Sequence, residues 1–190
     1  KIGGKAAGLM LAWRTLQQQH GDGDDIHSHI GIPQSYFIGT EVIYEFRLMN
    51  GLDHYMNQKY RSLDEIREEY PRIVDAHLAG NFSPSIVRQL RAILADIGES
   101  PLIVRSSSLL EDNFGYAFAG KYNSYFCPNQ GSEEENLTDL LDAVRRVFAS
   151  TLNPDAILYR QKHGLIDYDE RMAILIQKAV GKPYRDYYFP

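Results

Sequence analysis

The sequence predicts an α/β or α+β fold in which helices pack on a mixed sheet built from short strands. Three observations carry that expectation. Several stretches repeat apolar residues at helical spacing behind recognisable cap residues. Two apolar runs, Leu102 to Val104 and Met172 to Val180, are too short or too evenly apolar for an ordinary surface helix and read as buried strands. At 190 residues with 44% apolar and 24% charged side chains, the chain can bury a core as one domain or as two closely joined lobes.

Taken in order, residues 1–19 form a helix through Leu9, Leu11, Ala12, Trp13 and Leu16, with Gly3, Gly4 and Lys5 at its start. Unpaired amides and the positive end of the helix dipole favour an anion there, and Lys5 is placed to reach a phosphate. The spacing is not that of a Walker A loop, and a plain turn fits the same residues. Residues 20–29, HGDGDDIHSH, have the composition of a flexible solvated loop, and their histidines and aspartates match no metal-ligand spacing. Gly31 and Pro33 lead into a strand through Tyr36, Phe37 and Ile38. Thr40 then caps a helix carrying Val42, Ile43, Phe46 and Leu48 that stops at Gly51.

Ser62 with Glu65 makes a capping box, and Pro71 is expected to kink or divide the helix that follows. Ser83 and Pro84 open another helix through Ile86, Val87, Leu90, Ile93, Leu94 and Ile97, ended by Gly98. It leads directly into the strand at Leu102. Ser132 with Glu135 caps a long amphipathic helix from Leu137 to Leu152, and Asn153 with Pro154 opens a further helix closed by Gly164. The strand at Met172 contains one polar residue, Gln177, whose buried amide must satisfy backbone or read a ligand edge.

Residues 102–126, LIVRSSSLLEDNFGYAFAGKYNSYF, concentrate the chemistry. Arg105 ends the apolar run and is followed by Ser106, Ser107 and Ser108, a good arrangement for phosphate oxygens because guanidinium is always charged and presents paired donors. Glu111 and Asp112 come next. Gly115, Ala117, Ala119 and Gly120 leave a loop whose amides can approach a polyphosphate, and Lys121 and Ser124 add a cation and a hydroxyl. A strand, a polar turn and a hairpin with ordinary surface charges is the competing reading.

A net charge of −5 argues against a nucleic-acid footprint, so any phosphate site is local. Cys127 is the single cysteine; no internal disulfide exists, and a role as small apolar filler in a reducing compartment follows. No apolar stretch nears the roughly 20 residues that span a bilayer, and no signal peptide is read, so a cytoplasmic location is expected. The start at Lys1 leaves an upstream segment open.

The ordered set GGKAAGL, GIPQSYFIGTEVIYEF, LIVRSSSLLEDNFGYAFAG, PDAILYRQKHG and MAILIQKAV resembles the N-terminal nucleotide-binding domain of the phosphoenolpyruvate synthase and pyruvate phosphate dikinase family. Rifampicin phosphotransferases and glucan water dikinases are relatives. The resemblance covers nearly the whole chain and implies an ATP-grasp-like fold clamping Mg-ATP, truncated here, with residues 181–190 starting a continuation. It implies transfer of the β-phosphate of ATP through a phosphohistidine to an acceptor, pyruvate first among them, with release of AMP. The phosphohistidine and acceptor-binding domains, and the Mg2+ ligands, are then expected beyond Pro190, and the fragment alone is expected to be inactive.

Carried onto this sequence, the resemblance implies that Lys5 and Arg105 are the catalytic, phosphate-binding cations. Gly120 and Ser124 match the loop over the polyphosphate, and Gln177 the strand lining base and ribose. Ala6 stands where the family has glycine, and Lys121 and Tyr122 where it has a Gln-rich pair. These departures motivate a second reading, a nucleotide-sensing or scaffold module that kept the fold and lost the chemistry.

Overall fold

The structure is a computed structural model that describes residues 1–18, 31–111, 120–185 and 187–189. Residues 20–29 and the loop residues Asp112, Gly115, Ala117 and Ala119 lie outside the described set. Helix α1 (Gly3–Gln18) precedes strand β1 (Ser35–Ile38) and helix α2 (Glu41–Met49). Helices α3 (Leu63–Leu78) and α4 (Pro84–Ile97) lead to β2 (Leu102–Ser108) and β3 (Ser124–Cys127). Helices α5 (Glu133–Ala149) and α6 (Pro154–Lys162), strand β4 (Met172–Lys178) and the hairpin β5 (Lys182–Tyr184) and β6 (Tyr187–Phe189) complete the chain.

The main sheet has the order β1-β4-β2-β3, and every pairing in it is antiparallel. This corrects the expected mixed sheet while keeping the α+β class. Strands β2 and β4 are the long central pair, seven residues each, with β4 buried along nearly its whole length and β2 half-buried at Ile103 and Arg105. Strand β2 also runs past its apolar residues: Arg105 lies inside the strand, and Ser106, Ser107 and Ser108 continue the ladder opposite Ile174, Ala173 and Met172. The sequence stops that strand at Val104 because hydroxyls look like turn residues. In the fold their side chains find buried partners, so the ladder extends.

Alternation along β2 sets two faces. Leu102 and Val104 lie with Tyr125, Cys127, Ile174 and Ile176 on one face, in the core formed with Leu90 and Leu94 of α4 and Leu140, Val144 and Phe148 of α5. Phe46 of α2 joins through Phe82 and Phe148, at ring separations of 4.6 and 5.7 Å. Burial pushes the Cys127 thiol up to about 12, so the cysteine serves as apolar filler.

Local signals act where expected at Ser62–Glu65 and Ser132–Glu135, both complete capping boxes. Ser83 and Thr40 occupy cap positions without a side-chain cap bond. Pro71 does not divide α3, which is continuous around it; Ile66 and Ile73, both fully buried on either side of the proline, hold the two halves against Leu152 and Ile157. Burial outweighs the one missing backbone bond. A 3-10 segment, Asp53–Tyr60, has no counterpart in the sequence reading. In α1 the expected apolar face is not covered: Leu11 is 66% exposed and Trp13 49% exposed. The helix is held at its N-terminal end instead.

His77, buried in α3, donates from Nδ1 to the Ile73 carbonyl at 2.7 Å. Burial pushes its pKa below the ordinary 6.5; that hydrogen bond opposes the shift, and the nearby Arg47 charge adds to it. The unfolded chain therefore binds this proton more readily than the folded one. The resulting stability is complete above about 6.5 and is lost as pH falls through the folded value. Thermal midpoints measured from pH 7.5 to 5 are expected to fall more steeply for the native protein than for His77→Gln. Parallel curves would show that His77 does not set the acid limb.

Candidate functional site

The site grows from the second face of β2. Arg105 stands opposite Ser124 on β3 and Leu175 on β4, and Ile103 stands opposite Phe126 and Gln177. Cross-strand partners in an antiparallel sheet project from the same face, so Arg105, Ser124, Gln177 and Phe126 share one surface. Arg105 is half-buried and donates from a terminal guanidinium nitrogen to Gln177 Oε1 at 2.9 Å. Gln177 Nε2 donates in turn to Ser35 Oγ at 3.2 Å. The polar residue in the apolar β4 run thus has both ends satisfied, one of them by the cation. Among the described residues, this is the only hydrogen bond Arg105 makes, which leaves further donors of its planar fork for an anion.

Ser124 is exposed beside Arg105, and Gly120, at φ +72°, begins the described part of the return to β3, with no described atom where a side chain would stand. Lys121 is drawn elsewhere: its ammonium lies 5.6 Å above the Tyr159 ring. Beyond Phe126 the strip reaches a cavity of about 590 Å³ lined in part by Pro101, Pro128, Arg185, Tyr187 and Tyr188. Phe126 is 51% exposed at its edge, a flat apolar surface next to a fixed cation.

Helix α1 begins against the same face at the far end of β2. Ser107, two residues beyond Arg105 and therefore on its face, accepts a hydrogen bond from the Ala6 amide at 3.1 Å and donates to the Ile2 carbonyl at 2.9 Å. Gly3 and Gly4 permit this approach: a Cβ on Gly3 would strike the Ser107 carbonyl, and one on Gly4 the Glu111 carbonyl. Gly3 also takes φ +74°. Ala6, fully buried, fits without displacing the contact.

Lys5 itself turns to the other side. Its ammonium is bonded to Glu111 Oε1 and lies 3.3 Å from Ser106 Oγ, and Ser106 projects from the face opposite Arg105. The structure therefore brings Arg105, Ser124 and Gln177 together, sets Gly120 at the start of the segment leading into Ser124, and leaves Lys5 at the helix start on that face with its charge engaged elsewhere. Among the described residues the two cations share no partner.

Sequence reasoning missed the polar group behind β2. Glu111, 3% exposed, accepts from Ser106 Oγ at 3.0 Å and from the Ser108 amide at 3.0 Å. Ser108 Oγ donates to Glu170, which also takes Arg160 at 3.4 Å; Arg160 donates to the Thr151 carbonyl at 2.7 Å. Tyr122 lies against Glu170, and burial raises its pKa. Only the Arg-Ser-Ser-Ser run and the nearby Glu111 hinted at this, because Lys5, Glu170 and Arg160 come from distant parts of the chain. Among the described residues no three His, Cys, Asp or Glu side chains gather to hold a metal. Glu111 and Glu170 are already occupied by Lys5, Arg160 and serines, so these residues do not fit Mg2+.

The sequence matches the family model for the pyruvate phosphate dikinase AMP/ATP-binding domain over residues 1–184. It is also 24% identical, over 193 aligned residues, to a probable phosphoenolpyruvate synthase of Archaeoglobus fulgidus. That alignment covers 95% of this chain and 23% of the relative, so the chain spans about a quarter of the curated protein it matches. No helix among the described residues is long and apolar enough to cross a membrane.

Proposed function

Because this chain belongs to the pyruvate phosphate dikinase AMP/ATP-binding domain family, we propose that its Arg105 face is the ATP-binding surface of a dikinase-type phosphotransferase with an ATP-grasp-like fold. The observation that carries the reading is the cluster of Arg105, Ser124 and Gln177 on one half-exposed sheet face, with the start of α1 at one end and the aromatic cavity at the other. Arg105 holds the polyphosphate through the donors that Gln177 leaves free. Ser124 adds a hydroxyl, and Gly120 lets the backbone come close. Gln177 and the surface at Phe126 lie along the path for ribose and base.

ATP supplies the phosphoryl group: the bond between its α- and β-phosphates breaks, and the β- and γ-phosphates pass to a histidine on another domain of the same polypeptide with AMP as the leaving group. Water then releases the γ-phosphate as orthophosphate, leaving the β-phosphoryl group on the histidine. This chain's residues bind and orient. Arg105 meets negative charge that spreads over the transferring oxygens, where preorganised donors are worth most. Lys5 adds a second cation when it leaves Glu111. Pyruvate as acceptor follows the relative's printed name, probable phosphoenolpyruvate synthase.

The full-length protein incubated with ATP and pyruvate is expected to yield AMP as the nucleotide product. ADP as the sole product would reject the dikinase reading. The sensor reading draws support from Lys121, which sits over Tyr159 instead of facing the strip. Tight ATP binding without any AMP would decide in its favour.

A further inference from the structure

The cation in the first turn of α1 is not free in this structure. Lys5 is bonded to the buried carboxylate of Glu111 and lies beside Ser106, both of them on the side of β2 away from Arg105. Glu111 is held in turn by Ser106 Oγ and by the Ser108 amide, so its position is fixed by the strand itself. Lys5 is not sealed in: its side chain is 24% exposed, against 3% for Glu111. One partner is rigid and buried, whereas the other sits on a flexible four-carbon stem with a route to water.

Resting on the nucleotide reading above, we propose that Glu111 is a latch that parks Lys5 away from the polyphosphate surface and that nucleotide binding must break. A triphosphate on the Arg105 face carries several negative charges and competes with a single carboxylate for the same ammonium. The helix start already lies on that face through the Ser107 contacts, so only the lysine side chain has to swing. Glu111 loses a charge-assisted hydrogen bond in the exchange but keeps Ser106 and Ser108, so the empty latch remains satisfied. The contact makes nucleotide affinity lower than the site's own donors would give.

Glu111→Gln keeps the shape and one acceptor oxygen for the Ser108 amide, turns the Ser106 contact into one in which the new amide nitrogen donates to Ser106 Oγ, and removes the charge that holds Lys5. ATP affinity measured by titration calorimetry on the full-length protein is expected to rise about tenfold in this variant, the scale of one charged hydrogen bond. The gain is expected to vanish when Lys5→Ala is combined with it, because the latch acts through Lys5 alone. Ser106→Ala, a milder change that keeps the carboxylate, is expected to tighten binding two- to threefold on the same scale, and carries the test if Glu111→Gln does not fold. Without nucleotide, acylation of Lys5 by an amine reagent, followed by mass spectrometry, is expected to be slow relative to exposed Lys162 and to speed up in Glu111→Gln. Unchanged or weaker affinity in both variants, or an equal gain in the Lys5→Ala background, overturns the latch. A native protein that binds no ATP overturns the nucleotide reading first, and is seen before any variant is made.

Discussion

Arg105→Ala is expected to lower AMP formation by the full-length protein by about a thousandfold, the upper range for removing one preorganised donor from a transition state. Two physical facts set the size. The guanidinium is half-buried between β3 and β4, where its charge is screened less than on an open surface, and its orientation is fixed by Gln177 at 2.9 Å. The same substitution is expected to cost only about 1 kcal/mol of stability, because Gln177 keeps Ser35 as a partner and can turn to water. Turnover and melting therefore separate chemistry from folding. Arg105→Lys restores a charge without the planar fork, so an intermediate rate is expected. Unchanged turnover in Arg105→Ala would remove the residue from the mechanism.

Gly3→Ala is expected to release α1 from the sheet. A methyl at this position meets the Ser107 carbonyl and hydroxyl and forces an alanine into φ +74°, at a local cost of about 2–4 kcal/mol. The helix has an easy escape, since Leu11 and Trp13 farther along it are exposed and add little to its docking. Detachment of α1 then limits the damage to the rest of the fold. Hydrogen exchange across α1 is expected to accelerate while the amides of β2 and β4 stay protected. ATP affinity is expected to fall to that of Lys5→Ala, because the lysine is no longer presented. Preserved exchange protection in α1 would show that the glycine contact does not anchor the helix.

Much of this fold is written in short sequence signals. Ser62 with Glu65 and Ser132 with Glu135 mark helix starts because the capping partners lie within one turn, and the structure forms both boxes. The strands at Leu102 and Met172 are legible as apolar runs, and their pairing puts Gln177 beside Arg105, as a buried amide in need of a partner requires. What the sequence hides is long-range. The antiparallel order depends on pairings between β1 and β4 and between β2 and β4, which no local pattern encodes. The serine run reads as a turn until Glu111, Glu170 and the start of α1 are known to supply its partners. That run also decides the site: extending β2 through Ser108 puts Ser106 and Ser107 on opposite faces, which is why Lys5 and the helix that carries it end on different sides. The 3-10 segment at Asp53–Tyr60 has no periodic apolar stripe, with Gln58 its one buried residue, so nothing local announces it.

One face of β2 is expected to receive the triphosphate, with both cations finishing on it. A structure of the full-length protein with a non-hydrolysable ATP analogue tests this most directly. Phosphate oxygens are expected within hydrogen-bond distance of the Arg105 guanidinium and of the Lys5 ammonium, with Lys5 released from Glu111. An analogue bound with Arg105 still held only by Gln177 and Lys5 still on Glu111 would contradict it.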